Sequence, residues 1–187
     1  MTTILRGDCA EYRAIRPVYA VSQKSIMKSE LARQYEIALT MLKGVIDETD
    51  EDIWHYSDDS KDAAWHIAYH AVYYANIYCS PSEEEVKRWD RQSRDCHILG
   101  PTPWPPHERL VPRESYSKSE VTDFIDFVLK VIPEYLECLD PEKPCWPHWY
   151  EQNQFEFHLN NLRHIQHHTA QLISRNGGTS VGWVGVE

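Results

Sequence analysis

No apolar run in the sequence approaches the roughly 20 residues a helix needs to cross a bilayer. The opening stretch Met1-Thr2-Thr3-Ile4-Leu5-Arg6-Gly7-Asp8 lacks the apolar core of a secretory signal. Both absences point to a cytoplasmic protein. There is no basic cluster either, and the formal net charge is −10. Nucleic acid and anionic membrane surfaces are therefore disfavoured as partners, and the acidic balance serves solubility. The five cysteines, Cys9, Cys79, Cys96, Cys138 and Cys145, form no CxxC pair. Their odd count and scatter argue against a disulfide framework or a thiolate zinc cage, leaving isolated buried thiols. No segment keeps a period-two alternation, and no repeat or second domain is visible, so the chain reads as one all-α domain over 1–187.

What the sequence does have is histidine. It carries ten, and five of them (His148, His158, His164, His167 and His168) fall in one short stretch. Such enrichment points toward metal or proton chemistry.

Helical periodicity organises the rest. Residues 1–28 read as a surface arm. A first helix is expected from Ser29, with Leu31, Tyr35, Ala38, Leu42, Val45 and Ile46 on its apolar stripe, fading near Asp47. A second follows the cap-rich Ser57-Asp58-Asp59-Ser60, runs through Ala63 to about Tyr78, and cannot pass Pro81. It is apolar or aromatic over most of its circumference, as a buried helix is. Residues 79–116 form a long connection. It holds a short capped helix from Ser82 to about Trp89 and a stiff proline-rich stretch, Gly100-Pro101-Thr102-Pro103-Trp104-Pro105-Pro106. Ser117-Lys118-Ser119-Glu120 is a capping-box pattern opening a third helix, which Pro133 should kink. A fourth helix spans about Asn153 to Arg175 and ends at Asn176-Gly177-Gly178, leaving 176–187 as a tail. Four amphipathic helices with one long central connection predict an antiparallel four-helix bundle over 29–175.

On the fourth helix, Asn161, His164, His168 and Gln171 share a face beside an apolar stripe that also carries His158. Residues at i and i+4 are neighbours, so His164 and His168 could chelate one cation. On the second helix His66 and His70 are spaced the same way, and either could reach across to complete the set. Three imidazoles with a position left open is an arrangement catalytic metal sites use. A single HxxxH is often no more than a hydrogen-bonded pair; two of them on strongly apolar helices are harder to dismiss.

The segment Trp65-His66-Ile67-Ala68-Tyr69-His70-Ala71-Val72-Tyr73-Tyr74, closed by Tyr78, resembles the second helix of the DinB-like superfamily. Asn161-Leu162-Arg163-His164-Ile165-Gln166-His167-His168-Thr169-Ala170-Gln171-Leu172 resembles its fourth-helix pattern, His-x-x-x-His-x-x-Gln-Leu. The superfamily includes thiol-dependent S-transferases, a mycothiol-dependent maleylpyruvate isomerase and the metal-binding domain of ergothioneine-synthesis enzymes. The resemblance implies one divalent metal held by His70, His164 and His168, with His66 and Gln171 as supporting residues and His66 also the alternate ligand. Imidazole donors do not select among zinc, nickel, iron, copper and manganese.

Three functional readings follow. The first is a metal-dependent enzyme, an S-transferase or hydrolase acting on a small-molecule substrate, with a low-molecular-weight thiol as candidate cofactor. The second is a metal- or ligand-binding bundle without turnover, favoured by the lack of a carboxylate base beside the histidines; Glu156 reads as solvated. The third is a plain structural bundle. The aromatic loop Trp146, His148, Trp149, Tyr150 is read as packing, either in the core or in a homodimer. Trp104 is read as a loop anchor, His97 and His107 as solvent-facing, and His167 as pointing about 100° away from His168.

Overall fold

The computed structural model describes residues 22–58, 62–93, 96–110 and 115–178. These form five α-helices and no strand: α1 Gln23–Glu48, α2 Glu51–His55, α3 Ala64–Cys79, α4 Lys118–Glu137 and α5 Gln154–Arg175. None of the described helices is long and apolar enough to cross a membrane.

Local chemistry accounts for the helix ends. Ser117 accepts the Glu120 N–H while Glu120 reaches back to the Ser117 N–H, so the expected capping box opens α4. Asn153 and Glu156 make the same reciprocal pair at α5. Glu156 is thus spent on the helix start. Beyond α5, Gly177 and Gly178 take φ of 74° and 80°, the left-handed conformation that lets the chain turn off a helix without steric cost. The first helix differs from expectation. It begins six residues before Ser29, because Ser22 accepts the Ser25 N–H at 3.1 Å and caps there. Ser29 sits inside the helix and donates its hydroxyl to the Ile26 carbonyl. Asp59 and Ser60, part of the cap-rich stretch before α3, and most of the arm and tail lie outside the described residues.

Each of the four long helices packs against two others: α1 on α4 and α5, and α3 on α4 and α5. Side-chain contacts fix the sense of each pair. Lys43 meets Asp126 at 2.8 Å and Lys24 meets Asp140 at 3.2 Å, so α1 and α4 run antiparallel. Asn161 near the middle of α5 bonds the Ala75 carbonyl late in α3, and Arg175 at its end reaches the Asp62 carbonyl before α3, so these two also run antiparallel. Tyr35 at mid-α1 meets His158 early in α5, and Thr49 meets Asn176 beyond the ends of both, so that pair is parallel. Trp65 and Tyr116, then Asn76 and Tyr135, make α3 and α4 parallel. The shared core holds Tyr35, Leu39, Leu42, Ile46, Tyr69, Phe124, Ile125, Ile132, Ile165 and Leu172, all essentially without solvent contact.

The connection from α3 to α4 departs from its expected form. Residues 82–89 make a turn, not a helix, although Ser82 does accept the Glu85 N–H as a cap would. The peptide groups of Lys87 are taken by side chains of the long helices: its carbonyl accepts from Asn76 Nδ2 at 2.8 Å, and its N–H donates to the Tyr135 hydroxyl at 2.6 Å. Trp89 then stacks on Phe124 with rings 4.7 Å apart. Continuing a helix would forfeit all three contacts. Farther on, Trp104, read as the anchor of its loop, is 54% exposed. Its loop is held by Thr102, whose N–H donates to the Glu108 carbonyl and whose hydroxyl donates to the Trp104 carbonyl. Of the described cysteines, Cys79, Cys96 and Cys145 are buried, whereas Cys138 is exposed, contrary to the expectation of burial.

Candidate metal centre

The antiparallel contact of α3 with α5 brings three imidazoles together at mid-helix. His70 Nε2 lies 3.1 Å from His164 Nε2, and His168 Nε2 lies 3.0 Å from the same atom. Ligand atoms of all three residues fall within 4.8 Å of one another. No Asp or Glu among the described residues belongs to this group.

The outward nitrogens decide the proton positions. His70 Nδ1 sits 2.7 Å from the His97 carbonyl, an acceptor only, so Nδ1 carries the hydrogen and donates it. His168 Nδ1 donates to Gln171 Oε1 at 2.8 Å. In both neutral rings Nε2 is therefore a bare lone pair turned inward. His164 Nε2 faces both lone pairs, and one hydrogen placed there serves only one of them. His164 Nδ1 is buried without a partner among the described residues.

Electrostatics keep the rings neutral. Burial, then the neighbouring His168 and His164, push the His70 pKa down to about 2. Burial, then His168 and His167, push His164 down to about 3. Burial lowers His168 as well, with the Gln171 bond opposing it. Neutral imidazole is the metal-binding form. The two spacings to His164, 3.1 and 3.0 Å, are also close to the separation of about 3.3 Å between nitrogens held at about 2.0–2.1 Å around a tetrahedral zinc.

Aromatic rings wall the cluster. Tyr74 packs 4.8 Å from His70 and meets His164 edge-on at 5.6 Å. Tyr78 lies 6.1 Å from His164 and shares a 3.1 Å hydroxyl–hydroxyl hydrogen bond with Tyr150. Burial pushes Tyr74 up to about 12, so it is a phenol and not a phenolate at neutral pH.

The remaining candidates fall elsewhere. His66 is buried, stacked on Trp65 at 5.0 Å, with Nδ1 3.8 Å from Asp62, and it is not part of the three-histidine group. Asn161, one turn from His164, donates to the Ala75 carbonyl and to Cys79 Sγ, tying α5 to α3. His158 pairs with the Tyr35 hydroxyl at 2.9 Å. His167 and His107 are exposed. His97 is not the solvent-facing residue expected. Its carbonyl orients His70, and its ring stacks on Tyr73 at 4.8 Å. Nothing in the sequence could flag it, because the group it contributes to the cluster is a main-chain carbonyl in an irregular segment. Within the aromatic loop Trp149 is 73% exposed, while Tyr150 packs on Tyr78 and Phe157.

No family model, no curated protein and no solved structure matches this chain. The chemistry of the cluster is accordingly the ground for a functional reading.

Proposed function

We propose that His70, His164 and His168 hold one divalent cation, that the four long helices form a DinB-like four-helix bundle, and that the protein is a metal-dependent enzyme acting on a small molecule by thiol-dependent S-transfer or hydrolysis. The observation that carries this reading is the inward pair of bare Nε2 lone pairs. The His97 carbonyl and Gln171 amide fix two tautomers so that both rings present acceptors to one point. A cation at that point satisfies every inward nitrogen, and a proton satisfies only some. Such partners around ligand histidines orient the rings and raise their basicity.

A cation there supplies Lewis acidity toward a water or thiol near neutral pH. The chain's own residues do the positioning. His97 and Gln171 hold the rings, and Tyr74 and Tyr78 exclude water from one side of the cluster. One observation favours a second reading, a metal-binding protein without turnover: among the described residues no carboxylate joins the cluster to move a proton.

Elemental analysis of untagged protein, followed by conjugation of a thiol panel to a bimane electrophile and hydrolysis of nitrophenyl esters, tests both. One metal per chain with turnover that His168→Ala abolishes supports the enzyme. One metal per chain with no reaction supports the binding protein. A metal content no higher than that of His164→Ala removes both.

A further inference from the structure

His70, Tyr74 and Tyr78 follow one another at four-residue steps, so their rings stand in one row along α3. Neighbouring rings in the row are 4.8 and 5.0 Å apart. The row passes His164 on α5, which meets Tyr74 at 5.6 Å and Tyr78 at 6.1 Å. His168 is buried, whereas His70, His164, Tyr74 and Tyr78 are each half-buried. Both phenols therefore shield the cluster on one side while keeping accessible ring surface of their own.

That surface has no charged neighbour on its own helix. Over its 16 residues α3 holds no Asp, Glu, Lys or Arg, in a chain that is 26% charged. On α5, Glu156 is spent on the helix cap, and the exposed Arg163 donates to Asn160. After burial, the charges that act most strongly on the three cluster rings are those of other histidines. Arg88 acts on Tyr73, but on neither Tyr74 nor Tyr78.

We propose that the position left open over the cluster takes a small molecule whose body, beyond the donor atom on the metal, is an uncharged aromatic ring lying against Tyr74 and Tyr78. This rests on the metal reading and adds the class of molecule to it. Phenol rings offer a ligand ring the edge-to-face and offset contacts that a saturated ring does not make. A carboxylate on that body would leave water for a wall of two phenols with no cation among the described residues to meet it. The net charge of −10 works against it as well. The metal's own charge is answered at the donor atom.

The test uses full-length protein loaded with cobalt(II), whose thiolate charge-transfer absorption reports binding at the metal itself. The probes are 4-methylbenzenethiol, 4-mercaptobenzoate and cyclohexanethiol. The first two differ by a carboxylate and hardly at all in the basicity of the sulfur. With one cobalt per chain, 4-methylbenzenethiol binds about tenfold or more tightly than 4-mercaptobenzoate. Tyr74→Leu, loaded with one cobalt, weakens 4-methylbenzenethiol by about two- to tenfold, the scale of an aromatic pair, and leaves cyclohexanethiol nearly unchanged. Comparing each thiol with itself across the two proteins cancels its acidity. Tyr78→Leu gives the same pattern and stands in if Tyr74→Leu does not fold. Bound cobalt whose spectrum no thiol changes overturns the inference. So does equal affinity for the two benzenethiols, or equal weakening of 4-methylbenzenethiol and cyclohexanethiol by the substitution, and in each case the metal reading stands. A protein that binds no cobalt overturns both.

Discussion

At the scale of single residues the cluster is asymmetric, and the asymmetry makes distinct predictions. His164 faces both partners and has no outer hydrogen bond among the described residues, whereas His70 and His168 each have one. Replacing His164 by Ala removes the shared vertex, and metal content measured by plasma mass spectrometry should fall from about one per chain to near background. Gln171 touches the cluster only through His168 Nδ1, so Gln171→Leu should keep the site but weaken it by about 10–100-fold in competition with a chelating dye, the usual effect of removing an outer partner. His66→Ala should leave the metal content at about one, because that ring is turned to Trp65 and Asp62. The choice between His66 and His70 was open from spacing alone for a geometric reason. Four residues of helix rotate a side chain by 400°, only about 40° off register, while moving it about 6 Å along the axis. Both rings therefore sit near one face of α3, and only the axial level at which α5 crosses decides which meets His164.

At the scale of elements, the four long helices were readable because caps and apolar periodicity agree at each. Asn153 is the clearest case: its side chain accepts the Glu156 N–H at 2.8 Å, and the helix it opens carries two of the three clustered histidines. Asn153→Ala should cost about 1 kcal/mol in chemical denaturation, with metal stoichiometry unchanged, since the cap lies at the far end of α5 from His168. Three elements escaped sequence reading, each for a local cause. The five-residue α2 is too short for periodicity to register. The start of α1 was masked by a second serine, Ser29, that looks equally suited to capping but bonds back to Ile26 within the helix. Residues 82–89 carry helix-start chemistry that loses to tertiary bonds from Asn76 and Tyr135 to the Lys87 peptide, a competition no local pattern encodes. The same limit applies to the site: the HxxxH spacings are local and legible, while the His97 carbonyl arrives from the irregular connection and is visible only once that segment is folded over α3.

At the scale of the whole molecule, the histidines that give the cluster its chemistry also make the fold sensitive to acid. His158 sits between α1 and α5 against the Tyr35 hydroxyl, and burial pushes its pKa down to about 4. The folded state therefore keeps it neutral where the unfolded chain, with a histidine pKa near 6.5, takes up a proton. A lowered folded pKa means stability that is fully present above about pH 6.5 and is lost progressively as pH falls toward 4. A displacement of this size corresponds to about 3 kcal/mol for the one residue. His66, His70, His164 and His168 are shifted in the same direction by burial, so their losses also begin below about pH 6.5 and reinforce it, those of His70 and His164 continuing to about pH 2 and 3. Urea denaturation of metal-free protein should show the unfolding midpoint dropping steeply between pH 7 and pH 5, and His158→Phe should make that drop shallower whatever its effect at pH 7. Saturating zinc should raise the midpoint at pH 7 for the wild type and not for His164→Ala, because a ligand that binds only the folded state adds RT ln(1 + [L]/Kd) to its stability. An equal rise in both proteins would place the ion somewhere other than between α3 and α5, and the functional reading would lose its centre.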